Sequence, residues 1–201
     1  MPNSPTIEAY DKYAEIYDQE VIEFWDNFPV EFLQKFATSL PGKRILNVGS
    51  GSGRDALLLR DIGLDVVCPD GSESMVKMTS DLGFDSHLAD FEDIDFRSAT
   101  FDGIWAYTSL IHIPKVESES VIRVLHTLLK PEGVFAIGVI DGEAEGEVER
   151  KTTPGVRRYF KNYHKQELRE MVEQQGFDFL YELDYQPHNS TYINQLFVAS
   201  V

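Results

Sequence analysis

Ile45-Leu46-Asn47-Val48-Gly49-Ser50-Gly51-Ser52-Gly53-Arg54-Asp55 is the stretch on which the fold turns. A short apolar run stops at three glycines on alternate positions, and Ala56-Leu57-Leu58-Leu59-Arg60 follows at once with good helix formers. That order predicts a buried strand, a tight turn and a helix start. Glycine lets the backbone take φ > 0 and lets a ligand approach where a Cβ would collide. The first free N–H groups of the following helix point into the same space, with roughly half a positive charge from the helix dipole. The turn therefore offers a seat for a polar or anionic ligand.

Working outward, a second strand over Leu64 to Cys68 ends at Pro69-Asp70. This places an acid about 20 residues beyond the glycine turn, where nucleotide-binding folds use a carboxylate on ribose hydroxyls. Arg54 stands where the dinucleotide pattern Gly-x-Gly-x-x-Gly wants its third glycine, which weakens a nicotinamide reading. The strand–helix rhythm continues with a helix from Arg54 to Asp61, strands around 85–88, 101–106 and 134–140, and a helix over 117–130. Right-handed crossovers then leave a parallel sheet with helices on both faces. A helix over 164–175 and an apolar pair, 177–184 and 192–198, close the chain and predict a final antiparallel hairpin. Residues 7–38 read as helical, broken at Pro29, with Tyr10, Tyr13 and Tyr17 on one face.

Ile45 to Asp55, Val66 to Met75 and Phe101 to Pro114 resemble the nucleotide-binding core of class I S-adenosylmethionine-dependent methyltransferases, closest to the small bacterial, tellurite-resistance-like type. The resemblance implies a three-layer, doubly wound α/β fold, with a seven-stranded, mostly parallel sheet containing one antiparallel strand. It covers the whole chain as one domain, with residues 1–40 a helical cap over the pocket and 41–201 the α/β core. It also implies S-adenosyl-L-methionine as cofactor and a small-molecule acceptor. Asn47, Gly49, Ser50, Gly51 and Gly53 would then lie at the methionine portion, Asp70 and Gly71 at the ribose, and Met75, Asp90 and Phe91 at the adenine. Tyr17 and Tyr107 are further candidates for cofactor contact, and Tyr13 for the substrate. The family usually carries Asp or Glu where this chain has Asn47, which accepts a hydrogen bond but brings no charge to the cofactor's cationic end.

His112, in the loop after the fourth strand, is the one histidine placed to take a proton or orient a substrate. The reading equally allows a structural histidine there. The segment Asp141 to Glu149 alternates acids with small residues and reads as a mobile, solvated loop. Arg157, Arg158 and Tyr163 follow it, and one reading makes them a lid whose arginine pairs with a substrate anion. Two rival functions stand beside the methyltransferase: a non-catalytic module that binds the cofactor without turnover, and a NAD-dependent oxidoreductase.

Composition narrows the field. The net charge of -16 opposes binding to phosphate backbones, although Arg150-Lys151 and Arg157-Arg158 form one modest basic cluster. The loop after the fourth strand also lacks the Asn-Pro-Pro-Tyr type of sequence used on flipped bases. No stretch approaches the roughly 20 apolar residues of a membrane span. The first residues lack the parts of a signal peptide, and the one cysteine, Cys68, fits a reducing cytoplasm. No histidine–cysteine spacing suggests a metal site.

Overall fold

In the computed structural model, which describes residues 4–91, 93–150 and 152–200, strand β4 (Phe101–Tyr107) is buried at every position. That is the signature of a strand covered on both faces by helices. It runs parallel to β1 (Arg44–Asn47) on one side and β5 (Leu129–Ile140) on the other. Beyond β1 lie β2 (Asp65–Asp70) and β3 (Asp85–Leu88). Beyond β5 lie β9 (Tyr192–Ala199) and then β8 (Phe177–Tyr185). The order is β3-β2-β1-β4-β5-β9-β8, and β9 pairs antiparallel with both of its neighbours. The fold is therefore the seven-stranded sheet with one antiparallel strand. The order reverses between β1 and β4, and the crevice beyond their carboxyl ends is where open α/β sheets bind ligands.

Side-chain alternation sorts each strand between two cores. Ile45 and Trp105 face α1 (Pro5–Asp26), α2 (Val30–Ser39) and α3 (Arg54–Asp61), packing with Trp25, Phe28, Phe32 and Phe36. Leu46 and Ile104 face the opposite layer, where α5 (Lys115–Leu128) and α6 (Lys165–Glu173) bring Ile122, Leu125, Leu168 and Val172. The helix α4 (Glu73–Asp81) joins β2 to β3, and Ser72 caps it by accepting from the Met75 N–H. Pro29 separates α1 from α2, as the proline predicted.

Three boundaries differ from the sequence expectation. β2 continues through Pro69 to Asp70, where the Pro69 carbonyl accepts from the N–H groups of Gly49 and Ser50. The helix expected over 117–130 begins at Lys115, immediately after Pro114, and yields to β5 at Leu129. The larger correction concerns the acidic segment. Residues expected as a mobile loop include β6 (Glu145–Glu149), an antiparallel partner of β7 (Arg157–Lys161). Glu145 lies opposite Lys161 and Glu149 opposite Arg157, so an acidic strand is matched by a basic one. Lys151 of the basic cluster, and Glu92 in the acidic turn after Phe91, lie outside the described residues.

Phe36 is fully buried, with its ring edge-on to Trp105 at 5.2 Å. Phe36→Ala is expected to cost about 3–5 kcal/mol of stability, because a ring-sized cavity opens between α2 and the sheet. Urea unfolding followed by far-UV circular dichroism measures it, and a loss below about 1 kcal/mol would contradict this packing.

Candidate functional site

The glycine turn bends because all three glycines are left-handed, with φ of +68° at Gly49, +52° at Gly51 and +83° at Gly53. At Gly49 a Cβ would lie 2.5 Å from the Ser109 Cβ, so no larger residue fits without displacing the loop after β4. A cavity of about 480 Å³ opens at this point, and Gly49 and Gly51 form part of its wall. Gly53 does not border it; it starts α3 and packs toward Thr79 and Leu82 of the α4 region.

Asp70 organises the next wall. Its Oδ2 accepts from the Gly51 N–H at 2.8 Å and its Oδ1 from the Ser72 N–H at 2.9 Å. Burial pushes its carboxyl up to about 6, and the two backbone donors limit that rise. At neutral pH the group is mostly ionised. Gly71, Met75, Asp90 and Phe91 border the same cavity, and Asp90 accepts from the Phe91 N–H at 2.7 Å. Asn47 and Ser50 do not border it. Both are buried beneath the turn, and the Asn47 amide atoms and the Ser50 hydroxyl have no hydrogen-bond partner.

Helix α1 closes the top. Arg54 Nε and Nη2 donate to the two Asp18 oxygens at 2.8 and 2.6 Å, fastening α1 to the start of α3. The Arg54 guanidinium holds the Asp18 carboxyl below its usual range. Asp11 accepts from the Ser72 hydroxyl at 2.6 Å and the Ser74 N–H at 3.1 Å, fastening α1 to the start of α4. Tyr17 lies over the turn, 3.5 Å from where a Gly51 Cβ would be. Tyr10 stands edge-on to Tyr17 at 5.1 Å, and both border the cavity. Tyr13 does not: its backbone departs from helical angles (φ −121°, ψ 25°), and its hydroxyl donates to the Pro154 carbonyl at 2.8 Å. Seven-residue spacing puts Tyr10 and Tyr17 on one face, and the kink between them turns Tyr13 away.

The far wall is the loop after β4. Tyr107 borders the cavity with its ring among Phe24, Trp25 and Phe28, and its hydroxyl has no partner. His112 also borders it. The Tyr159 carbonyl, 2.7 Å from Nδ1, can only accept, so Nδ1 carries the proton. Nε2 therefore accepts from the Tyr10 hydroxyl, also at 2.7 Å. Enclosure of the ring pushes His112 down to about 4, and it is neutral at physiological pH. Arg157 borders the mouth, 3.7 Å from Glu147. Arg158 is buried one side chain back, and Tyr163 lies deep in the core with its hydroxyl 2.9 Å from Ser118 Oγ. Among the described residues no group of three or more His, Cys, Asp or Glu side chains could hold a metal.

Residues 46–137 match the family profile of the methyltransferase domain. The methyltransferase GfsG of Streptomyces halstedii is 30% identical over 156 residues, covering 69% of this chain and 54% of the relative. The DhpI–SAH complex superposes with a TM-score of 0.79 at 19% identity, over 98% of this chain and 96% of that one. The Burkholderia thailandensis 1,6-didemethyltoxoflavin-N1-methyltransferase, bound to 1,6-didemethyltoxoflavin and S-adenosylhomocysteine, does so at 0.70 and 17% identity, over 99% and 92%. The chain has the fold of these methyltransferases, and its segment 46–137 is similar to the methyltransferase domain. It spans about half the length of the first curated relatives it matches.

Two groups at or beside this site carry no signal in the sequence. Tyr10 was visible only as one of three tyrosines, and its pairing with His112 joins residues 102 positions apart. Asp55, in the first turn of α3, is 4% exposed and accepts from the Ala56 N–H at 2.8 Å. Burial pushes its carboxyl up to about 7. A folded value above the unfolded one (about 4) means the folded chain holds the proton longer. Its contribution to stability is complete below about pH 4 and is lost as pH rises toward 7. Asp55→Asn is therefore expected to match wild type at pH 4 and exceed it by about 1–3 kcal/mol at pH 8. Urea titrations across that range measure the difference, and a constant gap would place Asp55 in contact with water.

Proposed function

We propose that this chain transfers a methyl group from S-adenosyl-L-methionine to a small-molecule nucleophile. One observation carries the reading: the left-handed glycine turn, the Asp70 carboxylate and the loop after β4 enclose one cavity at the switch point of the sheet. The residues present fit the cofactor. A flat, polar tail finds backbone without side chains at Gly49 and Gly51. Vicinal hydroxyls find an ionised acceptor in Asp70, and an aromatic ring finds the Met75 thioether and Phe91. When bound, the sulfonium supplies an activated methyl and a good leaving group, so the protein's part is binding, alignment and exclusion of water.

The N-terminal helices serve as the cap of a single methyltransferase domain, and the Asp11 and Asp18 bonds hold that cap over the crevice. Tyr17 closes on the turn from above. On the acceptor side His112 positions Tyr10. Because Tyr10 gives its proton to Nε2, its oxygen offers only lone pairs to the cavity, suited to a nucleophile that arrives as O–H, S–H or N–H. A neutral His112 then receives that proton by way of Tyr10, whereas an amine entering uncharged needs no base. The family position held by Asn47 lacks its usual charge, which keeps the binding-only module as the second reading. The net charge of -16 opposes nucleic-acid substrates. Among the described residues no helix is long and apolar enough to cross a membrane, and the buried thiol of Cys68 fits a cytoplasmic setting.

Calorimetric titration should show heat with S-adenosylmethionine and none with NAD; the reverse result would replace this reading with an oxidoreductase. Asp70→Ala should weaken cofactor binding by about 1–3 kcal/mol through a lost charged acceptor. Labelled cofactor incubated with thiols, phenols and amines should lose its methyl to one class, and binding without transfer to any would favour the module.

A further inference from the structure

Arg158 is a buried cation that forms no ion pair among the described residues. It is 3% exposed, and its Nε and Nη2 have no hydrogen-bond partner. The guanidinium stands 5.0 Å from the Tyr10 ring centre and 5.4 Å from that of Phe160. Two rings thus stand beside the guanidinium, and they do not satisfy its Nε and Nη2 donors. Nε and Nη2 form one edge of the guanidinium, the parallel pair that grips a carboxylate through two bonds. In this same chain Arg54 uses that pair to hold both oxygens of Asp18. Arg158 presents the same fork with nothing in it.

The acids nearby are engaged elsewhere. Along β7, Arg157 pairs with Glu147, and Lys161 lies 3.9 Å from both Glu145 and Glu167. Strand alternation turns Arg158 and Phe160 to the opposite side, toward Tyr10 and His112. Arg150 stands 5.0 Å from the Phe160 ring centre and forms no ion pair among the described residues. Two cations thus flank one ring, one of them buried, in a chain whose net charge is -16. A buried charge of this kind is costly unless something pairs with it.

The fork lies one side chain behind the cavity wall. Arg158 itself does not border the cavity; Tyr10, against which it packs, does, and so does His112 on the same side. Nε and Nη2 make no hydrogen bond among the described residues, while the guanidinium interacts with the Tyr10 hydroxyl, and a change of rotamer that releases this contact brings the fork forward. Arg157 is the poorer candidate because Glu147 already neutralises it.

We propose that the methyl acceptor bears a carboxylate, held side-on by the Nε and Nη2 of Arg158 with Arg150 as a second cation. This rests on the methyltransferase reading and names the class of acceptor it serves. The test uses protein saturated with S-adenosylhomocysteine, titrated by calorimetry at fixed ionic strength with benzoate, benzamide and inorganic phosphate. Benzoate is expected to bind at least about tenfold tighter than benzamide. Arg158→Met should erase that preference and, by removing an unpaired buried charge, raise the Tm of the ligand-free protein by about 2–4 °C. Arg158→Lys, which keeps the charge without the fork, should lose most of the preference and decides the matter if the methionine variant does not fold. Equal binding of benzoate and benzamide overturns the proposal, as does a preference that survives Arg158→Met. Tighter binding of phosphate would move the class to phosphorylated acceptors and overturn it too. A tenfold loss of S-adenosylhomocysteine affinity in Arg158→Met would assign the fork to the cofactor's own carboxylate, with the same consequence. Failure of the wild type to bind S-adenosylhomocysteine at all is seen in the first titration and defeats the methyltransferase reading instead.

Discussion

Asp70 accepts from the Gly51 N–H and the Ser72 N–H, and this bridge joins the turn after β1 to the turn after β2. Both turns lead into helices, α3 and α4, so one carboxylate sets the spacing of two helix starts beside the switch point. The bridge works only because Gly51 is left-handed and can aim its N–H inward. The neighbouring Gly49 has the Ser109 side chain where its own would be, which brings the loop after β4 against the turn. Strand ends, helix starts and the loop after β4 thus converge through backbone geometry.

The second constraint is electrostatic. A chain this acidic must keep carboxylates apart or partner them, and helix α1 shows how. Asp18 meets the Arg54 guanidinium and Asp11 meets donors at the start of α4, where the helix dipole favours a negative group. Helix α1 is held by charges that would otherwise repel. Asp55 and Asp70 are the exceptions: both sit where water is excluded, and burial raises both. Asp70 has two backbone donors in adjoining turns and is the lower of the two. The β6–β7 hairpin uses the same principle, setting glutamates against arginine and lysine across the ladder and leaving Arg158 unmatched on the other face.

Much of the layout was legible because local rules and the global fold agree. The strand–Gly-x-Gly-x-Gly–helix stretch, the break at Pro29 and the β3 span all follow from residue types acting on their own backbone. The acidic segment misled because composition argues for solvation, while pairing depends on the basic strand eight residues further on. Tyr13 and Tyr163 carry the residue type of a pocket wall; one is turned out by a kink and the other is drawn into the core by Ser118.

The sequence by itself determined the alternation of strands and helices, the glycine turn at the end of the first strand and the acid that lies beside it. Those are consequences of periodicity, glycine stereochemistry and short-range spacing, which act over a few residues. Tertiary structure alone decided which side chains meet: Tyr10 with His112, Asp18 with Arg54, Arg158 with the Tyr10 ring. Such pairings join residues from tens of positions to well over a hundred apart. Hydrogen-bond direction, burial and charge balance exist only once the chain has brought them together.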